Sequence, residues 1–215
     1  QRPFPSDTYA LASQIAFHGL DPKHYLVEVQ PRKGEHTLRT EDILAKITEL
    51  GDELALVLIG GVQFYTGQAF ELETITATAH EVGAIAGFDL AHAAGNMPVQ
   101  LHDWNVDFAC WCTYKYLNSG PGSVGGAFIH ERHLKTDLPR FAGWWGHDKN
   151  TRFKMGSEFS PMPTAEGWQV SNAAVFNMAI HRVSLEQFGR ARMERLRAKA
   201  LQLTGYAEAI INGIN

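Results

Sequence analysis

Apolar and polar positions follow two periods along this chain, and the switches between them outline its elements. From Thr40, with Glu41 and Asp42 in the first turn, Ile43, Leu44, Ile47 and Leu50 recur at helical spacing until Gly51. That pattern predicts a helix with one buried stripe. Leu54 to Ile59 (LALVLI) is a continuous apolar run of strand length, closed by Gly60-Gly61. A strand apolar on both faces belongs inside a parallel sheet. Glu73 to Val82 returns to the helical period, and Ala84 to Leu90, Phe108 to Thr113 and Gly126 to Ile129 read as further strands. Upstream, Ser6 or Asp7 is a good N-cap for a helix over residues 8–18, stopped by Gly19. Asp21-Pro22 marks a turn, and Tyr25 to Gln30 (YLVEVQ) alternates as a strand does. Residues 141–171 carry Trp, Gly, Pro and Phe with little period, a long irregular stretch of the kind that often carries function. From Ala173 onward the chain reads as two helices, the last amphipathic, with Arg190, Arg192, Arg195, Arg197 and Lys199 on a solvated face. Strands alternating with helices predict an α/β fold with a mostly parallel sheet covered on both faces by helices.

Composition narrows the class. Of the 215 residues, 45% are hydrophobic and 20% charged, which provides for a sizeable core and excludes disorder. A net charge of −4 offers no basic face for a phosphate backbone, so nucleic acid is not an expected partner. No apolar run reaches the roughly 18 residues of a membrane span, and the first residues have no apolar signal core. The chain starts at Gln1 without Met, in what reads as a loop, so it is expected to be processed or a piece of something longer. Cys110 and Cys112 lie two apart on one strand and face one side, a poor geometry for a bridge. They read as two buried free thiols of a reducing cytoplasm.

Candidate chemistry is concentrated in residues 87–123. Asp89 ends one apolar strand, where ligands of open α/β sheets bind, and His92 follows three residues on. Lys115, flanked by Tyr114 and Tyr116, follows the next strand, a plausible desolvated amine and nucleophile for a carbonyl. A carboxylate and a lysine at neighbouring strand ends suit pyridoxal phosphate, whose aldehyde a lysine captures and whose ring nitrogen a carboxylate keeps protonated. From the residues alone a second reading stands beside it: Asp89 as an ordinary cap and Lys115 as a surface lysine. Zinc at His102, Asp103, Cys110 and Cys112 fails on spacing, and Gly122 to Gly126 precedes a strand rather than a helix, so the dinucleotide fingerprint fails.

The segments FDLAHAAGN (88–96) and CWCTYKYLNSGPG (110–122), with HDW and DFA between them, resemble the kynureninases. FPSD (4–7), TGQAF (66–70), GWWGH (143–147), TRFKM (151–155) and QVSN (169–172) carry the resemblance along the chain. It implies the aspartate-aminotransferase fold and hydrolysis of L-kynurenine or 3-hydroxykynurenine to an anthranilate and L-alanine, a step of tryptophan catabolism and NAD biosynthesis. The implied cofactor is pyridoxal 5'-phosphate. Lys115 matches the lysine that binds the cofactor, and Asp89 the partner of its ring nitrogen. His92 lies beside Asp89 at the cofactor. Tyr114 matches a tyrosine at the cofactor phosphate implicated in proton transfer. Phe4, Pro5, Ser6 and Asp7 match a cofactor-binding segment whose aromatic ring stacks near the pyridine. Trp144 and Asn172 match residues that reach the cofactor from the neighbouring subunit, which implies a homodimer with composite active sites. Gly61 stands where some members carry a small polar residue near the ring. His92 as a structural histidine, Trp144 as a core aromatic and Asn172 as a helix cap remain the plain alternatives. The resemblance covers only the middle of the family's length, so residues 1–215 are expected to be an incomplete large cofactor domain. The N-terminal phosphate-binding segments and the C-terminal small domain are not in it. The rival expectations are a cysteine-desulfurase-like or aminotransferase-like relative, and a cofactor-domain fragment without activity.

Overall fold

The computed structural model describes residues 3–214; Gln1, Arg2 and Asn215 lie outside it. Its sheet has four strands, β1 (Leu56–Gly60), β2 (Ile85–Asp89), β3 (Phe108–Cys112) and β4 (Gly125–Ile129), side by side in chain order. β1, β2 and β3 run parallel and β4 closes the edge antiparallel to β3. The register sets Gly60 opposite Asp89 and Asp89 opposite Cys110.

Six α-helices accompany the sheet among the described residues: α1 (Pro5–Phe17), α2 (Pro22–Tyr25), α3 (Thr40–Leu50), α4 (Leu72–Glu81), α5 (Val175–Ala191) and α6 (Met193–Asn212). The apolar stripe of α3 buries Ile43 and Ile47, and that of α4 buries Leu72, Ile75 and Ala79. They meet Ala86, Phe88 and Ala109 in one core. Because strand side chains alternate, Ile85, Gly87 and Asp89 point to the other face, with Phe108 beside Gly87 and Cys110 beside Asp89 in register, and Cys112 follows on the same face. Gly87 belongs there because a Cβ would sit 2.2 Å from the Phe108 ring.

Local expectations hold for α3, α4 and all four strands, to within two residues at their ends. Three expectations change. Tyr25 to Gln30 is not a strand. Asp21 accepts from the Lys23 N–H with Pro22 in the first turn, so Tyr25 closes one helical turn, and 26–30 stays outside the sheet. Alternation alone cannot create a sheet edge to pair with. Helix α1 starts at Pro5 with Phe4 as N-cap and no side-chain cap, rather than behind Ser6 or Asp7, because Asp7 is turned toward the sheet. The cysteines are free, but Cys110 is exposed and Cys112 half-buried, since the face they share is the one away from α3 and α4.

At the opposite end of the strands, Asp107 is a buried charge that joins three elements. Its carboxylate accepts from the Ala86 N–H at 2.8 Å and sits 2.7 Å from both His80 Nε2 and His133 Nε2. Arg132 stands 3.8 Å away. Burial alone would raise its pKa; the Ala86 N–H, His80 and His133 together hold it below the usual carboxylate range.

Candidate functional site

β2 ends at Asp89, and the chain turns at once: the Ala91 N–H donates to Asp89 Oδ1 at 2.8 Å. That turn carries His92. β3 ends at Cys112, and Lys115 sits in a loop closed by Ser119 N–H to Thr113 O at 3.1 Å and Asn118 N–H to Lys115 O at 3.2 Å. The two turns meet, with Lys115 Nζ 3.1 Å from His92 Nε2. Burial and the neighbouring Lys115 charge push the His92 pKa down, against the pull of Asp89. A neutral imidazole then accepts from the ammonium at Nε2 and keeps its proton on Nδ1, which faces Tyr116 Oη at 3.4 Å.

The N-terminus of α1 forms a third wall. The Phe4 ring centre lies 5.7 Å from Lys115 Nζ, and Phe64, beyond β1, packs edge-on against Phe4 at 5.3 Å. Asp7 reaches Asp89. Burial, then the charge and hydrogen bond of Asp89, raise the Asp7 pKa to about 6, with Lys115 pulling the other way. At neutral pH this places two carboxyl groups beside one amine. Cys110, level with Asp89, is exposed as a residue, but its thiol is partly desolvated against the sheet, and that desolvation first, then Asp89, Asp7 and Cys112, push it up. Tyr114 is exposed, and its phenol is raised above its ordinary value first by a hydrogen bond with Cys112.

The fold thus gathers Phe4, Asp7, Asp89, His92 and Lys115, with Tyr114 at the rim. Pro5 and Ser6 are exposed on the first turn of α1. Gly61 is elsewhere in direction: its N–H donates to Asp89 O at 2.7 Å, and a Cβ there would meet Leu90 Cδ2 at 2.7 Å and Ala93. A side chain at 61 points into the core, so this position offers backbone only. Trp144 is half-exposed in the irregular stretch, its indole N–H donating to Arg152 O at 3.1 Å and its ring against Trp145 and Phe153. Asn172 is exposed, with the Ser171 hydroxyl 3.4 Å from its Oδ1, and it is not the cap of α5, whose N-cap is Ala174. Phe64 is a site residue that sequence reasoning gave no role, and Tyr116 entered it only as a neighbour of Lys115, not as the partner of His92 Nδ1. Phe64 follows the Gly60-Gly61 end of β1, where the strand-end rule alone could have pointed to it.

The donor set fits pyridoxal phosphate. An amine stands ready for an aldehyde, a carboxyl pair for a cationic ring nitrogen, and an aromatic side chain for a flat heterocycle. No group of His, Cys, Asp and Glu that could hold a metal ion occurs among the described residues. No helix there is long and apolar enough to cross a membrane.

A family model, Aminotransferase class-V, matches residues 15–215. The chain is 59% identical over 210 residues to a kynureninase of Myxococcus xanthus, covering 97% of this chain and 49% of that protein. It is 56% identical over 209 residues to a kynureninase of Nematostella vectensis, covering 97% of this chain and 45% of the other. Among solved structures, a cysteine desulfurase of Thermococcus onnurineus superposes with a TM-score of 0.71 at 20% identity, over 94% of this chain and 47% of that one. The chain spans about half the length of the curated relatives it matches.

Proposed function

The chain belongs to the aminotransferase class-V family, and from that premise we propose that it is the cofactor-binding part of a kynureninase. The proposed reaction is hydrolysis of L-kynurenine, or its 3-hydroxy form, to an anthranilate and L-alanine. One observation carries the reading furthest. Asp89 and Lys115 come from the ends of adjacent parallel strands and are joined through His92 and Asp7, in a chain more than half identical to kynureninases along its length.

When bound, pyridoxal phosphate supplies an aldehyde that condenses with amines and a protonated ring that withdraws electrons from the substrate carbon. Lys115 would hold the aldehyde and, once displaced by the substrate amine, carry the proton from the substrate Cα. His92 Nε2, accepting from Nζ, orients that amine. Asp89 would accept the ring N–H, and Asp7, with its raised pKa, adjusts the charge beside it. Phe4 would cover one ring face. The Tyr114 hydroxyl, exposed at the rim, would move protons at the substrate β-carbon and carbonyl, where water adds and the Cβ–Cγ bond breaks. Gly61 contributes backbone only. Pro5 and Ser6 shape the first turn of α1 beside the site.

We assign residues 1–215 to most of the large cofactor domain. We further propose a cytoplasmic homodimer in which Trp144 and Asn172 serve the neighbouring subunit's site; both are exposed side chains in or next to the irregular stretch, and the two cysteines are free. The proposed reaction would serve tryptophan breakdown toward NAD. The test is to incubate the full-length protein carrying this chain with pyridoxal phosphate and L-kynurenine and follow anthranilate fluorescence. Anthranilate and alanine in equal amounts support the reading. Sulfur release from cysteine, or amino-group transfer without carbon–carbon cleavage, overturns it.

A further inference from the structure

Helix α5 turns an unusual stripe inward. Asn177, His181, Ser184, Phe188 and Ala191 are the residues of its span that are not exposed, and they recur at steps of four and three along one helix face. The first three are polar, and each bonds the segment that follows Lys115. Asn177 Nδ2 donates to Gly122 O at 2.9 Å, His181 Nδ1 lies 2.7 Å from Ser119 Oγ, and the Ser184 hydroxyl donates to Leu117 O. Ser119 is 2% exposed and its Oγ also donates to Leu117 O at 3.3 Å. One arrangement satisfies them all: His181 Nδ1–H donates to Ser119, whose own proton goes to the Leu117 carbonyl that Ser184 also serves.

The loop needs such a clamp. Asn118, Gly120 and Gly122 all have positive φ, at 54°, 81° and 70°. A segment with so many left-handed residues has weak local preference for a single shape. Directional bonds fix a loop in register, where an apolar stripe would let it slide. We propose that Asn177, His181 and Ser184 are positioning residues that hold the 117–122 loop and thereby aim Lys115 at the cofactor. The inference rests on the reading of Lys115 as the cofactor-binding lysine.

The experiment uses the full-length protein with His181→Ala, His181→Asn and Asn177→Ala. Hydrogen exchange of the 115–122 peptide is measured first. With one clamp bond lost, exchange in His181→Ala is expected to quicken by about tenfold. On loading with pyridoxal phosphate, kcat is expected to fall by about ten- to a hundredfold with KM unchanged, because a misaimed amine loses rate rather than binding. The pH midpoint of the cofactor's visible band shifts as well. His181→Asn, whose Nδ2 stands where Nδ1 stood, restores all three; a residue needed only for stability would not show that rescue at unchanged Tm. If His181→Ala does not fold, Asn177→Ala shows the same changes at smaller size. Unchanged exchange in the variants, with a parent that takes up cofactor normally, overturns the clamp. A parent that takes up no cofactor while its loop still loosens overturns the reading of Lys115 and with it the aim of the clamp.

Discussion

Asp7 is the side chain whose charge the fold alters most plainly. Its pKa, raised to about 6 by burial and by Asp89, lies above the ordinary carboxylate value of 3.8. A raised carboxyl binds its proton more tightly in the folded chain. The protein without cofactor therefore loses stability as pH rises from about 4 to about 6, and the loss is complete above that. Asp7→Asn is expected to remove this fall, raising Tm at pH 7 and leaving it nearly unchanged at pH 4; parallel melting curves for parent and variant across that window would refute the carboxyl pair. Lys115 gives the second test at this scale. In the full-length protein, borohydride reduction is expected to fix the cofactor on Lys115, and Lys115→Ala to abolish both the label and the visible band. Peptide mapping that finds the label on another lysine removes Lys115 from its role.

Among elements, the end of the sheet opposite the site is tied together by one buried carboxylate. Asp107 lies between β2, α4 and the turn of His133, 2% exposed. Asp107→Ala strips the buried Ala86 N–H and the half-buried His80 and His133 of their shared acceptor, so it is expected to cost about 2 to 3 kcal/mol in urea unfolding. Its pKa is depressed by the fold. Its stabilising contribution is thus full above the unfolded carboxylate pKa of about 3.9 and is lost as pH falls below that value. A variant within 1 kcal/mol (roughly the cost of one ordinary hydrogen bond) would mean that the histidines and Arg132 relax without it.

For the whole molecule, the surface of α5 and α6 is the prominent fact. Val175, Phe176, Ile180, Val183, Leu203 and Ile211 are all more than half exposed. Exposed apolar side chains in this number predispose a chain to associate. The 215-residue chain, purified alone, is expected to self-associate in a concentration-dependent way by sedimentation; a monodisperse monomer at tens of micromolar (a concentration at which exposed apolar faces ordinarily associate) would show the face to be tolerated. In the full-length protein, composite sites predict complementation. Lys115→Ala and Trp144→Ala subunits, each inactive alone, are expected to regain activity when mixed, because a hybrid dimer holds one intact site. Verified hybrids without activity would mean that each site comes from a single chain.

What the sequence by itself determined is whatever depends on near neighbours. The stripes of α3 and α4 and the apolar runs of β1 to β4 are written in a few residues each, and hydrophobic burial enforces them wherever they sit. The positions of Asp89 and Lys115 at strand ends were legible for the same reason, and the quoted motifs 88–96 and 110–122 carried their chemistry. Tertiary structure decided whatever needs a distant partner. Tyr25 to Gln30 has a strand's pattern but no sheet edge. Cys110 is apolar in sequence and exposed in space because its face of the sheet lies away from α3 and α4. The Asp107 cluster draws on residues 80, 107 and 133, and the α5 stripe on residues 177–184 and 117–122. Polar side chains at helical spacing read as a solvated face, since the pattern records that a residue is polar and not what it touches. Only the fold, by bringing α5 against the loop after β3, turns Asn177, His181 and Ser184 from surface into support for Lys115.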